Sequence, residues 1–292
     1  MYIATLLTAP SLRNLDPVLV EALRSAWGGT EAVWLAPGEA AEFALGHIPE
    51  NRWNVWQDLQ EQGVDLAVIP AQNRRKRMLL ADMDSTMIEQ ECIDELADEA
   101  GIGSKVKDIT ARAMNGELDF EEALKARVGL LAGLPVTTIE KVLNERITYM
   151  PGGDVLLATM KANGAYAALV SGGFTDFTKA VAAKLGFDED RANTLLSEGS
   201  ILSGTVGMPI LGKQAKVDAL QEITMRLGFS DKEVLAVGDG ANDLGMLKQA
   251  GMGVALHAKS TVAAQCDLRI NHGDLTALLY LQGYPKSDFV AA

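Results

Sequence analysis

Cysteine and histidine are scarce in this chain: Cys92 and Cys266 are the only cysteines, and His47, His257 and His272 the only histidines, among 292 residues. The two cysteines stand too far apart to form a CxxC site and are too few to staple a small scaffold, so the expectation is a reduced, cytoplasmic globular protein. Long apolar runs are missing as well. No stretch nears the roughly 18 uninterrupted residues of a membrane span, and MYIATLLTAP has no basic residue ahead of its short apolar segment, unlike a secretory leader. Positive charge is in deficit: 26 Lys and Arg face 39 Asp and Glu, for a net charge of −13. Such a field repels phosphate backbones, which argues against a nucleic-acid partner. The basic cluster Arg74-Arg75-Lys76-Arg77 reads as a solvated linker.

Hydrophobic residues make up 48% of the chain, enough for a sizeable core, and the length favours two domains over one. Residues 1–75 alternate short apolar runs (Tyr2 to Leu7, Ala32 to Leu35, Leu66 to Ile69) with helical patterns near Pro17 to Trp27 and Val55 to Gln62. This reads as a small α/β module for packing or for pairing into a homodimer. It holds all four tryptophans, Trp27, Trp34, Trp53 and Trp56, and no cluster of catalytic residue types.

From about residue 76 the pattern changes. Apolar runs at Met78 to Ala81, Ala165 to Val170, Val234 to Val237 and Met252 to Leu256 are each followed by a polar or Gly-rich turn and a helical stretch. That alternation predicts a Rossmann-like α/β domain with a parallel sheet, whose ligands bind at the carboxyl ends of the strands. Too much chain separates the first two strands for one crossover helix. Asp119-Phe120-Glu121-Glu122 and Thr137-Thr138-Ile139-Glu140 read as capping boxes there, and Gly116 and Gly133 punctuate helical segments, so a helical cap is expected over about 100–150.

The strand ends carry the chemistry. Asp82-Met83-Asp84-Ser85-Thr86 closes the first strand; strict strand geometry would put both carboxylates on one face, where they repel unless a cation or a shared proton intervenes, and Mg²⁺ suits such hard oxygen ligands. Ser171-Gly172-Gly173 closes the second, with the free N–H groups of the following helix offering an anion site. Gly238-Asp239-Gly240-Ala241-Asn242-Asp243 closes the third. It is no dinucleotide fingerprint, since Asp243 occupies the position of the last glycine of GxGxxG; Asp239 suits a metal site better. Gly207 to Gln214 imitates a P-loop but has Gln214 where Ser or Thr would bind Mg²⁺, and Pro209 within the loop. Lys216 is the more useful cation for a bound phosphate. Neither cysteine begins a C-x5-R loop and no histidine follows an arginine, which leaves an aspartate nucleophile as the covalent option.

Jointly, the DxDST segment from Asp82, Ser171-Gly172-Gly173, Lys216 and the GDGAND segment from Gly238 resemble the four ordered motifs of the haloacid dehalogenase superfamily. Glu91, nine residues beyond Asp82, and the segment from Asp119 to Arg127 are similar to those of its phosphoserine phosphatases. The resemblance runs from about Met78 to Leu279 and leaves out the N-terminal module, for which it implies a short, degenerate ACT-like domain. It further implies a Mg²⁺-dependent hydrolase that converts O-phospho-L-serine to L-serine and phosphate through an aspartyl-phosphate, the last step of serine biosynthesis. In that reading Asp82 is the nucleophile and Asp84 the general acid and base. The metal is held by Asp82, the Asp84 backbone carbonyl and Asp239. Ser171, the Gly172 amide, Lys216 and Asn242 bind the phosphoryl group, with Gly173 and Asp243 in support. Glu91 meets the serine ammonium, and Phe120 and Arg127, seven apart on one helix face, supply the ring and the fork for its carboxylate. Two other readings remain: the same chemistry on another small phosphomonoester or with transfer to an alcohol, and a non-catalytic amino-acid sensor.

Overall fold

The computed structural model describes residues 1–114 and 117–291; Gly116, expected to punctuate the helices, lies outside them. By internal contacts the chain divides into two compact units, one of residues 1–80, 151–167 and 220–292, the other of residues 81–150 and 168–219.

The first unit opens with β1 (Tyr2–Thr8), α1 (Pro17–Ala26), β2 (Val33–Ala36), β3 (Ala40–Leu45), α2 (Arg52–Gln60) and β4 (Val64–Pro70), a βαββαβ order on an antiparallel sheet arranged β2-β3-β1-β4. Asp16 caps α1 by accepting from the Val18 amide, with Pro17 at the first helical position where its missing N–H costs nothing. Leu6, Phe43 and Leu66 of the sheet pack with Val20, Leu23 and Leu59 of the helices, and Trp27, Trp34 and Trp56 close over them. Strand β3 is not among the elements expected from the sequence. Its Ala-rich AAEFAL has weak strand propensity, and antiparallel pairing with β1 decides its conformation.

The chain continues through β5 (Met78–Ala81), α3 (Cys92–Glu99), α4 (Gly103–Met114), α5 (Phe120–Gly129), α6 (Thr137–Glu145), α7 (Gly153–Ala162), β6 (Tyr166–Phe174), α8 (Thr175–Leu185), β7 (Glu189–Asn193), β8 (Leu195–Glu198) and β9 (Ile201–Val206). It ends with α9 (Lys213–Leu227), β10 (Val234–Gly238), α10 (Leu244–Gln249), β11 (Met252–Leu256), α11 (Ser260–Ala263), β12 (Leu268–Ile270) and α12 (Ala277–Leu281). Six of these strands form one sheet, β12-β11-β10-β5-β6-β7, and the β10/β11, β11/β12 and β6/β7 pairs are parallel. The division between the units runs through β5 and β6, each of which has residues in both. Every residue of β5 and β10 is buried, as strands covered on both faces require. The chain leaves β5 for neighbours on either side, so the carboxyl end of β5 is the switch point at which such sheets take their ligands.

Two local expectations meet different fates. Asp119 and Glu122 exchange hydrogen bonds with each other's amides at the start of α5, the reciprocal box that its sequence predicts. Thr137 does not cap α6: the chain already has helical angles at Val136 and enters straight from Pro135, whose carbonyl takes the Thr138 amide, so Thr137 lies inside the helix. Among the described residues no helix is long and apolar enough to cross a membrane.

Candidate active site

The β5 strand stops at Ala81 and gives way to a turn in which the Thr86, Met87 and Ile88 amides all reach back to the Met83 carbonyl, with Ser85 at a left-handed φ of 54°. Strand alternation is therefore not what aligns Asp82 and Asp84. The turn folds Asp84 back, and both carboxylates come under the influence of one cation. Lys216, in the first turn of α9 and 2% exposed, places its Nζ 2.5 Å from Asp82 Oδ1, an ion pair closed to solvent on both sides. A buried ammonium of this kind fixes the direction of the carboxylate it faces.

Asp84 is held from two directions. Its Oδ1 accepts the Cys92 amide at 2.9 Å, at the start of α3, and its Oδ2 accepts the Ser171 hydroxyl at 3.3 Å. Burial raises the Asp84 carboxyl above its ordinary value, against the opposing pull of Cys92, Lys216 and Ser171. The Cys92 thiol is pushed up by the same burial and by the Asp84 charge beside it. Ser171 Oγ also accepts the Gly173 amide at 2.8 Å. A Cβ at Gly173 would stand 2.7 Å from Asp84 Oδ2, so only glycine fits at this position. β6 runs on through these residues to Phe174, four residues beyond the apolar run read as the strand, so Ser171, Gly172 and Gly173 lie on the strand and α8 begins only at Thr175.

Helices α3 and α5 bring a second set of groups. Glu91 is the residue immediately before α3, exposed, with its Oε1 accepting from the Ser85 hydroxyl at 2.9 Å. Arg127 lies on α5, half-buried. Burial lowers its pKa, while the charges of Asp94, Glu91 and Asp84 act to raise it. Asp94, one turn beyond Glu91 on α3, is not among the residues that the sequence singles out. Its spacing of three from Glu91 is the available signal. Phe120, at the first position of α5, turns its ring to two glycines: a Cβ on Gly172 would lie 3.4 Å from the ring and one on Gly212 3.3 Å.

The remaining residues lie in the turn after β10. Asp243 is fully buried, its Oδ2 accepting the Gly240 amide at 2.9 Å, and a side chain at Gly238 would collide with it. Asp239 and Asn242 are half-buried in the same turn. Asp82, Asp239 and Asp243 each offer a carboxylate oxygen within 4.8 Å of the others. Three carboxylates this close, with no sulfur or imidazole among them, form an oxygen-only donor set that fits a hard divalent cation such as Mg²⁺. Asp82 and Asp239 of the expected set stand in this cluster together with Asp243, while the Asp84 side chain is engaged with Cys92 and Ser171.

A sheet edge with an aspartate–lysine ion pair, a second carboxyl two residues on and an acidic turn after a neighbouring strand defines a class. Residues 79–248 match the family model of the haloacid dehalogenase-like hydrolases, and the chain belongs to that family. Within it the chain sits with the phosphoserine phosphatases. A probable phosphoserine phosphatase of Schizosaccharomyces pombe is 45% identical over 211 residues, 72% of this chain and 70% of the relative. A HAD family hydrolase from Salmonella enterica serovar Typhi superposes with a TM-score of 0.86 at 29% identity, covering 96% of this chain and 98% of the other. A structure described as a phospho-aspartyl intermediate analogue of phosphoserine phosphatase superposes with a TM-score of 0.66 at 39% identity, over 70% of this chain and 98% of the other.

Proposed function

We propose that this protein hydrolyses O-phospho-L-serine to L-serine and phosphate, with Asp82 as nucleophile. The observation that carries the reading is the buried ion pair between Asp82 and Lys216, with Asp84 held against Ser171 beside it. Asp82, paired with Lys216, attacks phosphorus in line and the ester oxygen leaves. Asp84, whose carboxyl pKa is raised above its ordinary value by burial, gives a proton to the departing serine oxygen, and as a carboxylate then takes one from the water that cleaves the aspartyl-phosphate. Ser171, the Gly172 amide and Lys216 hold the phosphoryl oxygens while charge spreads over them, and Asn242 orients the group.

Asp82, the Asp84 carbonyl and Asp239, with Asp243 in support, would hold a Mg²⁺ ion. When bound, the ion supplies charge neutralisation between the nucleophile and the phosphoryl oxygens. Substrate choice belongs to Glu91, which meets the serine ammonium, and to Arg127, which forks onto its carboxylate, while Phe120 covers the Gly172 side of the phosphate. In this reading residues 76–292 are the catalytic domain, with a cap at about 100–150, and residues 1–75 an ACT-like module that can pair two copies of the chain in the cytoplasm.

The test is phosphate release from L-phosphoserine, L-phosphothreonine, phosphoethanolamine and p-nitrophenyl phosphate, with Mg²⁺ or EDTA. Mg²⁺-dependent preference for phosphoserine is the expected result. Turnover of other esters alone would keep Asp82 and remove Glu91 and Arg127 from the assignment; no turnover of any ester by folded protein would sink the reading.

A further inference from the structure

The register between β6 and β7 breaks where the phosphate-binding residues lie: Ala168, Leu169 and Val170 pair with Glu189, Asp190 and Arg191, and the ladder resumes only at Phe174 with Asn193. A strand that leaves its ladder also leaves backbone groups to be satisfied by something else. Here a single side chain does so. Asn193, the last residue of β7 and 2% exposed, donates from Nδ2 to the Gly172 carbonyl at 2.9 Å and to the Leu211 carbonyl at 3.2 Å, and its Oδ1 accepts the Leu211 amide at 2.7 Å.

The two ends it joins both belong to the site. Gly172 carries the amide assigned to the phosphoryl group. Leu211 stands just before Gly212, and α9 begins one residue later and holds Lys216 in its first turn. The ring of Phe120 lies against both Gly172 and Gly212. We infer that Asn193 is a positioning residue of the phosphate pocket: by tying Gly172 to Leu211 it sets the distance between the Gly172 amide and the start of the helix that carries Lys216, and with it the seat of Phe120. Both amide hydrogens and the amide oxygen are engaged, so the primary amide is needed whole. This inference rests on the phosphate-binding roles proposed above for Gly172 and Lys216. It adds a residue that has no part in the motifs and touches no substrate.

The experiment uses the full chain and two readouts, calorimetric binding of inorganic phosphate and the kcat and KM for phosphoserine, in wild type, Asn193→Ala and Asn193→Asp. The aspartate keeps the shape and the acceptor for the Leu211 amide but turns an oxygen on two carbonyls. Expected is a loss of about tenfold in phosphate affinity in both variants, the size of one or two lost hydrogen bonds. A lower kcat and unchanged competitive inhibition by L-serine, which is read by Glu91 and Arg127, should accompany it. A variant that merely loosens the fold would lower the melting temperature and move neither constant where the protein is folded. Phosphate affinity within about twofold of wild type in a folded variant overturns the inference. Asn193→Ser, smaller and with one hydroxyl donor, carries the same test should the alanine variant not fold. If wild type binds phosphate without turning over phosphoserine, the substrate reading has failed, and Asn193 is still judged by phosphate affinity alone.

Discussion

Asp82 and Asp84 are each held by a partner from another element, so single substitutions separate the roles. Asp82→Asn keeps the shape and removes the proposed nucleophile; we expect turnover to drop by at least about 10³-fold, with the melting transition retained, as judged by phosphate release. Arg127 makes a weaker internal commitment: its Nε reaches the Ala123 carbonyl at 3.3 Å, and the charges of Asp94, Glu91 and Asp84 act on it. A guanidinium so placed has donors left for a substrate carboxylate, and its loss removes a charge-assisted contact worth about 1.5–3 kcal/mol. Arg127→Ala should therefore lower kcat/KM for phosphoserine by about 10- to 100-fold while p-nitrophenyl phosphate, which has no carboxylate on its leaving group, changes by less than about threefold. Equal losses on both esters would remove Arg127 from substrate selection. These residues are legible in the sequence because their spacing is unusual and their chemistry scarce. Asn193 and Asp94 are not: a lone Asn at a strand end and one more acid in an acidic helix carry no signal until the fold shows what they face.

At the level of elements, α5 carries both Phe120 and Arg127 and begins with a complete capping box at Asp119 and Glu122. The box fixes where the helix starts, and Phe120 is its first residue. Asp119→Ala should cost about 0.5–2 kcal/mol, seen as a melting temperature lower by a few degrees. Because the fraying falls on the turn that holds Phe120, KM for phosphoserine should rise as well. A lower melting temperature with KM unchanged would show that the cap serves stability alone. The elements also show which parts of a sheet a sequence reveals. β5, β10 and β11 are short, buried apolar runs, and the sequence predicts them. β7 reads EDRAN and has four half-buried residues of five, so it shows no apolar run; it is a strand because β6 offers it a parallel edge. The turn after β5 is likewise hidden, since the left-handed Ser85 is forced by the amides gathered on Met83 and not by a glycine in the sequence.

For the whole molecule, the N-terminal module is bound into the first unit by buried charge. Asp65 of β4, wholly buried, accepts the amides of Asn271, His272 and Gly273 at 2.8 to 2.9 Å. Glu39, 1% exposed, accepts from Arg13 Nε at 2.6 Å, from the Tyr280 hydroxyl at 3.0 Å and from Lys286 Nζ at 2.7 Å, so one carboxylate joins the β2–β3 turn to α12 and to the chain's last turn. Burial works to raise the Glu39 pKa, but the hydrogen bonds from Lys286, Arg13 and Tyr280 outweigh it and hold the carboxyl below its ordinary 4.5. A group whose folded pKa is depressed contributes stability that is complete above the unfolded value and is lost as pH falls through the folded one. The contribution of Glu39 should thus be whole at pH 7 and fade as the pH drops below 4.5. Replacing it by Gln, which keeps the shape and gives up the charge, should lower the melting temperature at pH 7, and the gap from wild type should narrow between about pH 5 and pH 3. Melting curves recorded across that range decide it: a gap that stays constant means the carboxylate acts through packing, whereas one that closes shows that the module is held to the C-terminal segment by a charge that acid removes.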